Sequence, residues 1–356
     1  MAGRLARIAE QAGVSQATVS RVLNDKPGIA RQTRGAVIAA MDVLGIERPP
    51  VLQARDIGLV GIVLPELDNP IFPRLARAIE GRLVERSYTP VIGQQGVGNI
   101  HEDDLVHALV AHGARGLIFV SGIHALEGAD PGRYRTLLEH GLPFVLVNGS
   151  ISGLEVSSYS VDDAAAVHLA VDHLWGLGHR RIGLCLGEPR YQPVVRRTRA
   201  FHEAMTQRLG RGTPNQLVQC TDYTIDGGAA AARALLDRGA TAIVCGSDLM
   251  AIGAISAAES AGLHVPHDVS VVGSDDSTLM SHLNPGLTTV RLPAEAMGTA
   301  AADALINRLA GLPVRSGERL FTPELVVRAS TAPVGRAVRG RSASTYSSEV
   351  QQRPRS

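Results

Sequence analysis

The sequence predicts an α/β protein in which a small all-α headpiece is followed by two doubly wound parallel-sheet lobes. Three observations predict it. Residues 1–46 hold only short amphipathic helical segments, LARIAEQA, SQATVSRVLN and RQTRGAVIAAMDVLG. From Gly58 onward, apolar runs such as GLVGIVLP, YTPVIG, RGLIFVSG and PFVLVNG alternate with helical stretches, the pattern of parallel strands covered on both faces. A second series, SSYSV, RRIGLCLG, NQLVQC, TAIVCG and VSVVG, repeats it, giving two sheets of about five strands each.

The 356 residues are too many for one average domain and contain 45% hydrophobic residues, enough for sizeable cores. The expected boundaries are 1–46 for the headpiece and 47–57 for a connector, ERPPVLQARDI. The two-lobed body then spans 58–331, the first lobe about 58–160 and 291–322 and the second about 161–290 and 323–331. Residues 332–356, rich in Arg and Ser and without periodicity, predict a disordered tail. A net charge of +1 excludes a polycation that coats nucleic acid, so affinity for it must come from a local patch. Cys185 and Cys245 end apolar runs and, with Cys220, read as free thiols rather than ligands or disulfides. The N-terminus lacks the apolar run of a signal peptide and no segment is long enough to span a bilayer, so a cytosolic protein is expected.

Within the headpiece, Ser15 is a good N-cap and Gly13 supplies a tight turn before it. Val19, Val22 and Leu23 form one apolar stripe to pack on Ile8 and Ala12. The opposite edge carries Gln16, Ala17, Ser20 and Arg21, a short polar edge near the helix N-terminus. A recognition helix presents such an edge to bases in the major groove. Arg4, Arg7, Arg21, Lys26, Arg31 and Arg34 make this end locally basic. The competing reading is a helical dimerisation or docking module.

At IAEQAGVSQATVSRVLN, TRGAVIAAMDVLG and RPPVL, and at motifs out to residue 330, the sequence resembles the LacI family of bacterial transcription regulators. The resemblance implies a helix-turn-helix headpiece on a periplasmic-binding-protein-like body. It implies that Gln16, Ala17 and Arg21 read bases, while Ser15, Thr18, Ser20 and Asn24 touch the DNA backbone or shape the turn. Ala17 offers only apolar contact, for instance with a thymine methyl, and Arg21 suits guanine. Leu52 falls where the family places a minor-groove wedge in a hinge that folds on DNA. The link after it is shorter than usual and carries Asp56; the alternative is that Leu52 packs on the body.

Doubly wound lobes bind ligands at the carboxyl ends of their strands, and two facing lobes make a cleft. In the first lobe the polar and aromatic residues following the apolar runs are Asp68, Asn69 and Phe72, then Ser121 and Asn148. In the second lobe they are Arg197, then Ser247, Asp248, Asp275 and Asp276. Carboxylates, amides and an arginine suit a polyhydroxylated ligand, each hydroxyl both donating and accepting. By the resemblance, Arg197 in RRTRAF grips ligand hydroxyls or a carboxylate, Tyr223 is a sugar platform and Tyr159 a cleft aromatic. Ser247 stands where the family usually has Asn, Ser274 where it has an aromatic, and Leu292 where it has Gln. Asp248, Asp275 and Asp276 could equally cap helices, and Tyr223 could be core.

No dinucleotide-binding, P-loop, nucleophile-elbow or H-E-x-x-H motif is present. His101, His107 and His112 are spaced wrongly for a metal face, and Asp162–Asp163 and Asp103–Asp104 diverge as sequence neighbours on a helix. No enzyme, cofactor or metal is therefore expected. The expectation is a homodimeric regulator, a repressor, binding double-stranded operator DNA and a sugar-like effector, without a membrane. The alternatives are a transport solute-binding protein and a cytosolic metabolite sensor with a non-DNA helical module.

Overall fold

The computed structural model describes residues 2–24, 26, 28–47, 49, 58–95, 101–210 and 217–334. Residues 48 and 50–57 of the expected connector, Leu52 among them, and all of the expected tail beyond 334 lie outside the described residues.

Three helices come first: α1 (Ala2–Ala12), α2 (Gln16–Leu23) and α3 (Arg31–Val43). They close on Ile8, Val19 and Val22, as the apolar stripe predicts, and α3 adds Val37, Ala40 and Met41; Ala12 and Leu23 pack at the margin. Gly13, at φ +65°, makes the turn between α1 and α2, a backbone conformation favouring glycine.

The first sheet has the order β11-β5-β4-β3-β1-β2. Its strands are β1 (Leu59–Leu64), β2 (Thr89–Gln94), β3 (Ala114–Val120), β4 (Phe144–Val147), β5 (Ser157–Val161) and β11 (Gly317–Phe321). Between them run α4 (Ile71–Glu85), α5 (Glu102–Ala111) and α6 (Gly132–Glu139), with α11 (Ala294–Leu309) arriving from far along the chain. The second sheet has the order β12-β10-β9-β8-β6-β7. It comprises β6 (Ile182–Leu186), β7 (Val218–Cys220), β8 (Ala242–Cys245), β9 (Ser270–Ser274), β10 (Thr288–Arg291) and β12 (Glu324–Val326). Its helices are α7 (Asp163–Gly176), α8 (Gln192–Leu209), α9 (Ile225–Asp237) and α10 (Asp248–Ser260). The registered strand pairs are parallel throughout. Strand order reverses between β1 and β3 and between β6 and β8, the switch points at which doubly wound sheets hold ligands.

Three expectations are corrected. SSYSV does not open the second sheet: β5 lies in the first, between β4 and β11, fully buried although it is rich in serine. Ser157 is tolerated there because its Oγ donates to Arg315 O at 2.7 Å. Each sheet has six strands rather than five, because short strands late in the chain return to complete both. Residues 332–334 are tied down, Val334 N donating to Leu177 O and Ala332 N to Ser270 Oγ. By contacts, Glu188–Ala200, which includes the start of α8, groups with the first unit, and His168–Gly187 and Phe201–Val290 form the second. None of the three cysteines is in a disulfide; Cys185 and Cys245 are buried and Cys220 is exposed.

Candidate functional site

In the headpiece, Ser15 Oγ accepts from Thr18 N at 3.1 Å, capping α2 where its first amides have no helical partner. Thr18 Oγ1 adds a 2.9 Å contact to Ser15 Oγ. Asn24 closes the other end, its Nδ2 donating to Ser20 O at 2.8 Å. With Val19 and Val22 turned inward, Gln16, Ala17 and Arg21 are left exposed, and Thr18 and Ser20 are half-buried at the margin. The helix thus offers three outward side chains on a capped, packed frame.

In the first lobe, Asn69, Ser121 and Asn148 follow β1, β3 and β4, and Phe72 lies in the first turn of α4. Ser121 (φ +46°) and Asn148 (φ +65°) both adopt the left-handed conformation, and Asn148 Nδ2 donates to Ser121 Oγ at 2.8 Å. Such strained non-glycine residues cluster at ligand sites. Asn69 is buried with Oδ1 facing Ile71 N, so it also begins α4. Asp68 is exposed beside Glu66, whose carboxyl is raised by burial and by Asp68.

Arg197, expected in the second lobe, groups with the first unit and is paired there. Its Nε donates to Asp163 Oδ1 at 2.8 Å, and both side chains are buried. Burial raises the Asp163 carboxyl against the pull of Arg197, and Asp163 Oδ2 accepts no hydrogen bond. The neighbouring acid turns elsewhere: Asp162 Oδ1 accepts from Ala165 N at 2.9 Å and caps α7. Tyr159 is a second correction. It lies inside β5 rather than beyond its end, with its ring 6.2 Å from that of Phe321 on β11. Its hydroxyl is raised by burial and lowered by Arg319 and Arg308, so its surroundings are β11 and α11. Alternation along a strand decides this face.

In the second lobe, Tyr223 follows β7 and its ring lies against Gly187 and Gly246, the residues after β6 and β8. A Cβ at Gly246 would stand 3.0 Å from the ring, and one at Gly187 would run into it. The glycines therefore bring an aromatic to the switch point itself. Ser247 is spent on capping α10, its Oγ accepting from Met250 N at 3.2 Å. Asp248 accepts from Thr289 Oγ1 at 2.6 Å and from Ser277 N at 2.7 Å; burial nevertheless pushes its carboxyl up to about 6. Asp275 (φ +112°) and Asp276 (φ +52°) are again left-handed, and Asp276 accepts from Arg328 Nη2 at 2.6 Å. Ser277 holds the N-cap position of the 3₁₀ turn Thr278–His282.

Residues 4–46 match the profile of bacterial regulatory proteins of the lacI family, and residues 171–331 that of a periplasmic binding protein-like domain. The HTH-type transcriptional regulator MalR of Streptomyces coelicolor is 53% identical over 335 residues, covering 93% of this chain and 97% of its own. The chain belongs to the lacI family. Among solved structures, a transcriptional regulator CelR–cellobiose complex superposes with a TM-score of 0.70 at 30% identity, covering 92% of this chain and 99% of that one. A lac repressor dimer bound to operator and an anti-inducer gives 0.71 at 27% identity, covering 91% and 98%. This lacI-family chain is accordingly a DNA-binding transcriptional regulator and not an enzyme. Among the described residues, no helix is long and apolar enough to cross a membrane.

The sequence did not single out the groups supporting these edges. In this regulator Gln192, at the start of α8, donates from Nε2 to Ser150 O (2.8 Å) and His124 O (3.2 Å) and accepts from Ser150 N (3.1 Å). Arg196 grips Glu318 through both guanidinium Nη atoms at 2.8 and 2.9 Å, which holds the Glu318 carboxyl below its usual range despite burial. Beneath Ser121, the buried Glu102 accepts from Tyr134 Oη (2.8 Å), Ile123 N (3.0 Å) and Arg133 (3.1 Å). His124 beside it is lowered to about 4 by burial and is therefore neutral. Their partners lie 21 to 122 positions away in sequence, so no local pattern announces them.

Proposed function

We propose that this regulator is a homodimeric repressor that docks two headpieces on a pseudo-palindromic operator and responds to a sugar. The observation that carries the DNA half is the capped α2 with Gln16, Ala17 and Arg21 outward. Arg21 reads a guanine, Ala17 contacts a thymine methyl, and Ser15, Thr18, Ser20 and Asn24 hold the turn or touch phosphates. Leu52 wedges into the minor groove from the connector. Cytoplasmic residence follows from this role, because operator DNA is there.

The effector half draws support from polar and aromatic groups at the carboxyl edges. These are Asn69, Phe72, Ser121, Asn148 and Arg197 in one lobe, and Tyr223, Ser247, Asp248 and Asp275 in the other. A stacked aromatic with hydroxyl, amide and carboxylate partners suits a sugar, and cellobiose occupies one structural relative. Tyr159, packed under α11, is left out of the set.

Selection from a random DNA pool at moderate salt tests the operator half. An enriched near-palindrome is expected, and Arg21→Ala relaxes one symmetric position with a loss of about 1–3 kcal/mol per half-site. No enrichment would overturn the reading, and unchanged selection by the variant would remove Arg21 from base recognition.

A further inference from the structure

A cavity of about 640 Å³ opens at the amino edge of the first sheet, near the starts of β3 and β4 and away from Ser121 and Asn148 at their ends. Its wall is apolar at Val110 and Leu142 and basic at Arg115, Arg308, His107 and His140. The acid on that wall, Asp103, is already bound by Arg133.

Arg308 is the informative residue. Its Nη2 donates to Glu155 O at 3.1 Å, yet its Nε is buried and has no hydrogen-bond partner. A buried guanidinium N–H without an acceptor is uncommon in folded proteins. His140 uses Nδ1 on Thr136 O at 2.7 Å, so Nε2 is its remaining polar atom. The stem of Arg115 packs against Gly58, where the first lobe's sheet begins.

We propose that this cavity is a second small-molecule site, which binds a compact organic anion: a short apolar body bearing one phosphate or carboxylate. The apolar wall takes the body. Arg308, through Nη1, and Arg115 take the charged head by charge-assisted hydrogen bonds. The site shares none of the effector groups named above, so it stands or falls independently of them.

Isothermal titration of the full-length protein with phenyl phosphate tests the proposal, with inorganic phosphate and phenol as separate arms. Saturable one-site binding is expected, at least about tenfold tighter than either fragment. Arg308→Gln weakens it by about tenfold or more. Val110→Trp, at a position 43% exposed and therefore tolerant of bulk, fills the mouth and abolishes binding. Should Arg308→Gln fail to fold, Val110→Trp decides. Absence of saturable binding up to about 10 mM overturns the proposal. Equal binding of inorganic phosphate marks an adventitious ion only and also overturns it. Wild-type binding by Val110→Trp does the same, because the ligand then lies elsewhere.

Discussion

Arg197 and Asp163 are buried together, so removing either leaves the other's charge without its counterion. Arg197→Ala is expected to lose about 3–5 kcal/mol of stability by chemical denaturation. Arg197→Lys loses less but weakens sugar binding, because an ammonium cannot reproduce the guanidinium fork. Asp248 and His124 make opposite contributions to stability against pH. Asp248 is raised from 3.8 to about 6, so its contribution is complete below pH 3.8 and is lost as pH rises through about 6. His124 is lowered from 6.5 to about 4, so its contribution is complete above pH 6.5 and is lost as pH falls through about 4. Over the shared window each is worth roughly 3 kcal/mol and the two largely cancel. Asp248→Asn should therefore make stability climb more steeply between pH 4 and 6 than in the wild type. Parallel urea-denaturation profiles for variant and wild type would refute the assignment.

The α2 element depends on its cap. Ser15→Ala should cost about 1 kcal/mol and speed amide exchange at Thr18, whose N–H it accepts; unchanged exchange there would mean that the cap bond is idle. This element was legible in sequence because cap, turn glycine and apolar stripe are all local and agree with one another. The alternation of apolar runs likewise made the two parallel sheets legible. β5 was misplaced because four polar or hydroxyl-bearing residues in SSYSV conceal its burial, and one of its two neighbours, β11, is distant in sequence. The candidate edges were only partly legible. Residues following an apolar run could be named in advance, but what they bond to could not. Asp248 finds Thr289 and Ser277 across 41 and 29 positions, and Gln192 finds Ser150 across 42. Tyr223 packs both on the second-lobe core and against Gly187 and Gly246, a neighbourhood that no local pattern spells out.

At the scale of the whole molecule, a chain of net charge +1 carries its DNA affinity on a basic headpiece while the rest supplies the input. Operator binding should therefore fall linearly with log salt, with a slope of about −0.9 per phosphate neutralised. Arg34→Gln should reduce that slope by at most about 1 without changing the selected sequence, as measured by filter binding. A sugar can shift operator affinity only through its differential affinity for the two states of the regulator. Anisotropy of full-length protein on its selected operator, titrated across mono- and disaccharides, tests this coupling most directly. At least one sugar should change operator affinity by about 5- to 150-fold. Operator affinity that stays constant across the whole panel, with tight DNA binding intact, would contradict the account of this protein as a sugar-responsive repressor.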